Sequence, residues 1–238
     1  MENDILDYKE TSFSAEQIAA EQQRFMTRVF GWMTGALLIT AIVAMLTAQN
    51  PFLLNLILGN KFMFYGLLIG ELGLVLGISA LINKISANVA TLLFIIYSIF
   101  NGLTFSMIFL VYSSSSIAST FFITAGIFGV MAFYGYVTKK DLTSMGSLLM
   151  MALFGLIIAT VVNLFMHSEM LYWLTSFAGV IIFVGLTAYD TQKVKNMNIV
   201  GNEGTDEDRK ESIMGALILY LDFINLFLYL LRFFGRRD

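Results

Sequence analysis

The sequence predicts an all-α integral membrane protein with seven transmembrane helices, and composition, hydropathy and segment length lead there together. Of 238 residues, 58% are hydrophobic and 13% charged, against about 25% charged in an ordinary soluble domain. Mean hydropathy is +0.77. Apolar runs of roughly 20 residues, the length that crosses a ~30 Å hydrocarbon core, recur along the chain. In order they are Val29–Ala48, Phe62–Ile82, Val89–Tyr112, Ile117–Thr138, Met145–Met166, Met170–Thr191 and Ile213–Phe234.

Composition also excludes several classes. With no Cys there is no disulfide, no thiol chemistry and no Cys-ligated zinc. A net charge of −3 gives no reason to expect nucleic acid. The abundant Phe, Tyr and Met suit packing and lipid contact, and no cofactor box is expected. Two units follow: a polar segment over residues 1–28 and a seven-helix membrane domain over 29–238.

The first unit is too long and too acidic before its first apolar run for a signal peptide. Ser14 and Gln17 have the spacing of a capping box. Ile18, Phe25 and Val29 then share one face, so a short helix lying at the interface and feeding the first span is expected. Lys9, Arg24, Arg28, Lys84, Lys139, Lys140, Lys193, Lys195, Arg209 and Lys210 all fall on one side of the seven runs. The positive-inside rule places that side, with the N-terminus and the loop around residues 193–212, in the cytoplasm. The basic tail (Arg232, Arg236, Arg237) opposes this assignment, and a last segment that crosses is preferred over one that dips and returns.

Within the second span Gly66, Gly70, Gly73 and Gly77 form two GxxxG pairs, a surface for close approach of a neighbouring helix. Glu71 lies off that stripe, as a buried acid or a snorkelling one. Pro51, the chain's single proline, is assigned to a loop. The third span aligns Tyr97, Asn101 and Thr104; the fifth Thr160, Asn163 and His167; the sixth Ser176, Gly179, Phe183, Thr187 and Asp190. The seventh aligns Gly215, Asp222, Asn225, Tyr229 and Arg232. These spacings each put a polar or small stripe on one helical face, turned inward. Interhelical hydrogen bonding accounts for the Asn, Thr and Ser positions.

It does not account for Asp190 and Asp222. An ionisable group at membrane depth is costly and marks a function by default. Two carboxylates sharing a site cannot both ionise cheaply, so one proton held between them would tie the sixth span to the seventh. Two carboxylates are too few for a tight cation site and hold a cation only weakly and transiently. The 193–212 loop, rich in both charges, lacks the ligand pattern of an EF-hand and reads as a solvated cytoplasmic loop.

GLTAYDTQKVKNM at Gly185–Met197 and LYLDFINLFLYLLRFFG at Leu219–Gly235 closely resemble the C-terminal signature stretches of the Bax inhibitor-1 family, nearest its bacterial branch. The stretches Ser116–Leu142 and Arg28–Ala41 are similar to that branch too. The resemblance implies six helices surrounding a central seventh. It also implies a pH-sensitive calcium leak gated by aspartates on the sixth and seventh helices, here Asp190 and Asp222. A basic latch late in the second helix is implied as well, and Lys84 stands nearest. Glu71, Asn101 and Asn225 are the remaining pore candidates, and the bacterial inner membrane is the expected location.

An intramembrane aspartyl protease would match Tyr189-Asp190. Leu219-Tyr220-Leu221 before Asp222 lacks the glycine-rich approach that such enzymes use, and there is no Pro-Ala-Leu element. A serine hydrolase fails because His167, the one histidine, marks a hydrated loop end rather than a triad. No enzyme is expected. A proton-coupled transporter would show an inverted repeat, which is absent. The alternative from another class is a non-conducting regulator that binds a membrane quality-control protease, with Met1–Arg28 as its handle.

Overall fold

The computed structural model describes residues 13–236. All regular elements among them are helical: α1 (Ala15–Ala48), α2 (Pro51–Leu58), α3 (Lys61–Leu81), α4 (Ala87–Phe105), α5 (Ile108–Val111), α6 (Ser114–Val137), α7 (Thr143–Met166), α8 (Glu169–Lys195) and α9 (Asp206–Phe234). Among the described residues seven spans are long and apolar enough to cross a membrane: α1, α3, α4 continued by α5, α6, α7, α8 and α9.

Local chemistry sets where they begin. Ser14 Oγ accepts from the Gln17 amide at 3.2 Å, and the Gln17 side chain accepts from the Ser14 amide at 2.8 Å, completing the anticipated capping box. Asn50, Asn60, Ser86, Ser113, Ser168 and Thr205 cap the helices that follow them. Each of these side chains satisfies a backbone donor that the first turn leaves orphaned. Pro51 lies not in a loop but at the start of α2, where its missing N–H costs nothing. α7 ends at His167, which takes a left-handed φ of 51° as the C-cap.

The short interfacial helix expected before the first span is instead the opening of one unbroken 34-residue helix. Glu21, Phe25, Met26 and Val29 in that opening are buried, so packing against the rest of the protein keeps the helix continuous. The third span is interrupted at Ser106, whose hydroxyl donates to the Leu103 carbonyl at 2.6 Å, and resumes as α5.

The last helix is the most enclosed. Leu219, Tyr220 and Leu226 are wholly buried in it, and it packs directly on α8, α1, α6 and α4. The other two spans sit farther out, α3 chiefly on α4 and α7 chiefly on α8. Four helices thus make the principal packing around α9, with α3 and α7 outside them. α3 buries only Leu67 and Ile78, and α7 only Gly146 and Leu156.

That layering explains two further departures. A Cβ added at Gly66, Gly73 or Gly77 meets nothing, and at Gly70 only the Phe100 ring edge. Apart from the Phe100 ring at Gly70, the glycine stripe of α3 therefore receives no close approach from another helix among the described residues. Likewise the Thr160–Asn163–His167 stripe of α7 is not a buried face, since His167 is exposed and Thr160 bonds its own helix at Leu156. Close helix approach occurs elsewhere. At Gly135 of α6 a Cβ would run into the Ala188 carbonyl of α8, two residues before Asp190.

Candidate functional site

α8 and α9 cross with Asp190 and Asp222 facing each other. Asp190 keeps 7% of its surface exposed and Asp222 5%. The two carboxyl groups are near enough to influence each other, and a hydrogen bond between them needs one proton on the pair, because two carboxylates offer only acceptors. Asp222 Oδ2 is buried without a hydrogen-bond partner. One cation stands nearby. Lys193 Nζ lies 3.9 Å from Asp190 Oδ1, one helical turn on, and is half exposed. The pair thus has a half-exposed cation at its edge and one buried oxygen that no donor reaches.

Why the chain places them so follows from the stripes. Ser176, Gly179, Phe183, Thr187 and Asp190 form the buried face of α8. Thr187 and Thr191 return their hydroxyls to carbonyls four residues back, at 2.7 and 2.6 Å. With its neighbours self-satisfied, Asp190 has little besides Asp222 and Lys193 to bond. On α9 the ring of Tyr229 fills the space above Gly179, locking the register that brings the two acids level.

After Asp222, α9 presents aromatic residues to α6. Phe121 of α6 lies 5.3 Å from Phe223 and 6.3 Å from Phe227, ring centre to centre. Beside these rings remains a cavity of about 70 Å³, lined almost wholly by carbon.

The other candidates scatter. Glu71 of α3 accepts a short hydrogen bond from the Thr104 hydroxyl of α4. Asn101, one turn before Thr104, is buried and donates to the Tyr97 carbonyl at 3.2 Å. These belong to an α3–α4 cluster rather than to the aspartate pair. Asn225 donates to the Leu221 carbonyl of its own helix at 2.8 Å. Lys84 is exposed in the turn after α3 and pairs with no carboxylate among the described residues. The cation at the aspartates is Lys193, which sits on the same helix as Asp190, whereas Lys84 projects from an outer element.

A second charged site escaped the sequence reading. The stretch between α8 and α9 is not simply solvated but clamped to α1. Arg24 donates to both oxygens of Glu203 at 2.7 and 2.8 Å. Arg28 donates to both oxygens of Asp208 at 2.6 and 2.9 Å. Asp208 is 1% exposed and also accepts from the Gly204 amide at 2.8 Å. Buried Glu21 accepts the Gly201 amide at 2.9 Å, and Asp206 accepts the Ala87 amide at 3.1 Å, at the start of α4. Arg24, donating to Glu203, holds its carboxyl below the ordinary glutamate range. Only the sequence distance of about 180 residues hid these pairs.

Among the described residues no group of three or more His, Asp or Glu gathers to hold a metal. The aspartate pair can offer a cation two carboxylates and no closed cage.

A family model described as inhibitor of apoptosis-promoting Bax1 matches residues 22–238. The chain belongs to the Bax inhibitor-1 family. It is 52% identical over 227 residues to the inner membrane protein YbhL of Escherichia coli, covering 95% of this chain and 97% of that one. An uncharacterised protein of Borreliella burgdorferi is 47% identical over 216 residues, 91% of this chain and 93% of the relative. An uncharacterised membrane protein of Streptococcus pyogenes is 34% identical over 218 residues, covering 90% and 93%. Family membership and seven apolar helices make this a multi-pass inner membrane protein.

Proposed function

We propose that this Bax inhibitor-1 family member is a pH-sensitive calcium leak channel, gated by the coupled pair Asp190 and Asp222. The observation that carries the reading is two buried carboxyl groups on packed helices, near enough to influence each other, one with an unpartnered oxygen. A shared proton makes one hydrogen bond between α8 and α9. With a second proton the pair is neutral. With none, it is two like charges in contact, which low dielectric makes strongly unfavourable. Proton count therefore biases how tightly the most enclosed helix is held, and with it an open–closed equilibrium.

Calcium fits the donor set because it takes carboxylate oxygens in loose geometry. Two carboxylates bind it weakly, and a conducted ion must also leave. Lys193 gives the site an approach from the end of α8 expected to face the cytoplasm. Opposite, the Phe121–Phe223–Phe227 stack is the barrier that opening must part, since so small an apolar cavity excludes a hydrated ion.

Calcium entry into liposomes across a pH series tests the proposal, with wild type beside Asp190→Asn and Asp222→Asn. Wild type should conduct weakly with a pH-dependent rate, and each substitution should flatten that dependence at unchanged folded yield. Flux that rises on acidification assigns the change to release of the helix tie; flux that falls assigns it to loss of the charge that attracts calcium. Absence of any flux from folded wild type would move the reading to a non-conducting regulator of a membrane protease.

A further inference from the structure

At the end of the bundle opposite Lys193, the α7–α8 turn and the last turn of α9 enclose a cleft of about 670 Å³. Its lining includes His167, Glu169, Tyr172, Trp173, Arg232 and Phe233. Arg232 is its cation. The guanidinium carbon lies 4.8 Å from the centre of the Tyr229 ring and 5.3 Å from that of Tyr172. It donates one long hydrogen bond, 3.4 Å, to Ser176 Oγ. A guanidinium carries five N–H donors, and the others of Arg232 have no acceptor among the described residues. Two aromatic faces therefore hold the plane of a cation most of whose donors no described acceptor takes, an arrangement suited to bidentate capture of a phosphate.

Glu169 lines the same cleft from the first turn of α8 without ion-pairing to Arg232. One fixed cation and one separate carboxylate in a single cleft complement a zwitterion better than a simple anion. Tyr172, Trp173 and Phe233 have the chemistry of the aromatic belt that meets lipid headgroups. Trp173 packs 5.4 Å from Phe233, and beside it Phe165, Met166 and Met170 are strongly exposed apolar groups where acyl chains would lie.

We propose that this cleft binds the headgroup of a zwitterionic phospholipid of the phosphoethanolamine type, its phosphate on Arg232 and its ammonium toward Glu169. The site is distinct from the aspartate pair, about 15 Å along α9 from Asp222 by helical rise.

Native mass spectrometry of the full chain in detergent tests it, with phosphatidylethanolamine and phosphatidylglycerol titrated separately and in competition. Wild type should retain phosphatidylethanolamine preferentially. Arg232→Gln should weaken that retention about tenfold, as loss of a charge-assisted contact does, with Arg232→Lys intermediate. Glu169→Gln, at an exposed position, should erase the preference between the two lipids. O-phosphoethanolamine and inorganic phosphate form the soluble arm and should displace the lipid only at far higher concentration. Equal retention of both lipids by wild type, or an unchanged preference in Glu169→Gln, overturns the proposal even if Arg232→Gln does not fold. Displacement by inorganic phosphate at lipid-like concentration overturns it in favour of a free-phosphate site.

Discussion

Two groups of acids in this protein are treated in opposite ways. Glu21, Glu203 and Asp208, where the α8–α9 connection meets α1, each receive arginine forks or backbone amides. Asp190 and Asp222 receive chiefly each other, with Lys193 at the edge of contact. Acids given dedicated donors are anchored in place by them, and their contribution is structural. On the proposed reading, acids given only one another depend on a proton for their contact, so their state follows pH. Both groups link α9 to another helix, but only the second link is built to change.

The comparison can be broken first by moving the helix that carries Asp190. Gly135→Ala sets a Cβ against the Ala188 carbonyl, backbone on backbone, so α8 must shift from α6. A loss of about 3 kcal/mol, the upper part of the overpacking range, is expected in detergent unfolding. Gly73→Ala, where a Cβ meets nothing, should change stability by less than ~0.5 kcal/mol. Equal effects at the two glycines would contradict the packing described.

Arg28→Ala comes next. It strips the buried Asp208 carboxylate of its fork but leaves the Gly204 amide, so a loss of about 2 kcal/mol is expected. The pH profile of calcium flux should keep its shape in this variant, because Asp208 stands about 21 Å along α9 from Asp222 by helical rise. A displaced flux profile would merge the two groups into one device.

The smallest effect concerns Glu203. Its pKa lies below the ordinary value of 4.5, chiefly through the Arg24 hydrogen bond. A depressed carboxylate stabilises fully above the unfolded value and loses that contribution as pH falls through the lowered one. Wild type should therefore lose a small increment of stability below about pH 4.5 that Glu203→Gln lacks, and unfolding midpoints across that range measure the difference.

Much of this was legible before the fold, for stated reasons. Spans show in sequence because bilayer thickness dictates their length, and the stripes on α8 and α9 show because helical period dictates facing. Asp190 and Asp222 stood out since the cost of an intramembrane acid needs no partner to be recognised. The clamp did not stand out: Arg24, Arg28 and Asp208 resemble any solvated charges until the fold brings residues about 180 positions apart into contact. The glycines of α3 misled for the converse reason. GxxxG specifies that a helix can be approached, not that one is present, and α3 proves to be an outer helix. Lys84 was placed by analogy along the chain, whereas the cation that reaches Asp190 is set by the helical turn between residues 190 and 193.

The central claim is that Asp190 and Asp222 act as one titrating unit. Its most direct test is the double substitution: calcium flux against pH for wild type, Asp190→Asn, Asp222→Asn and both together, in liposomes of one composition. Partners in one unit are non-additive. The account predicts that each single change flattens the pH profile and that the double change adds little beyond either. Independent, additive effects of the two changes, or single variants that fold normally and keep the wild-type profile, would contradict it.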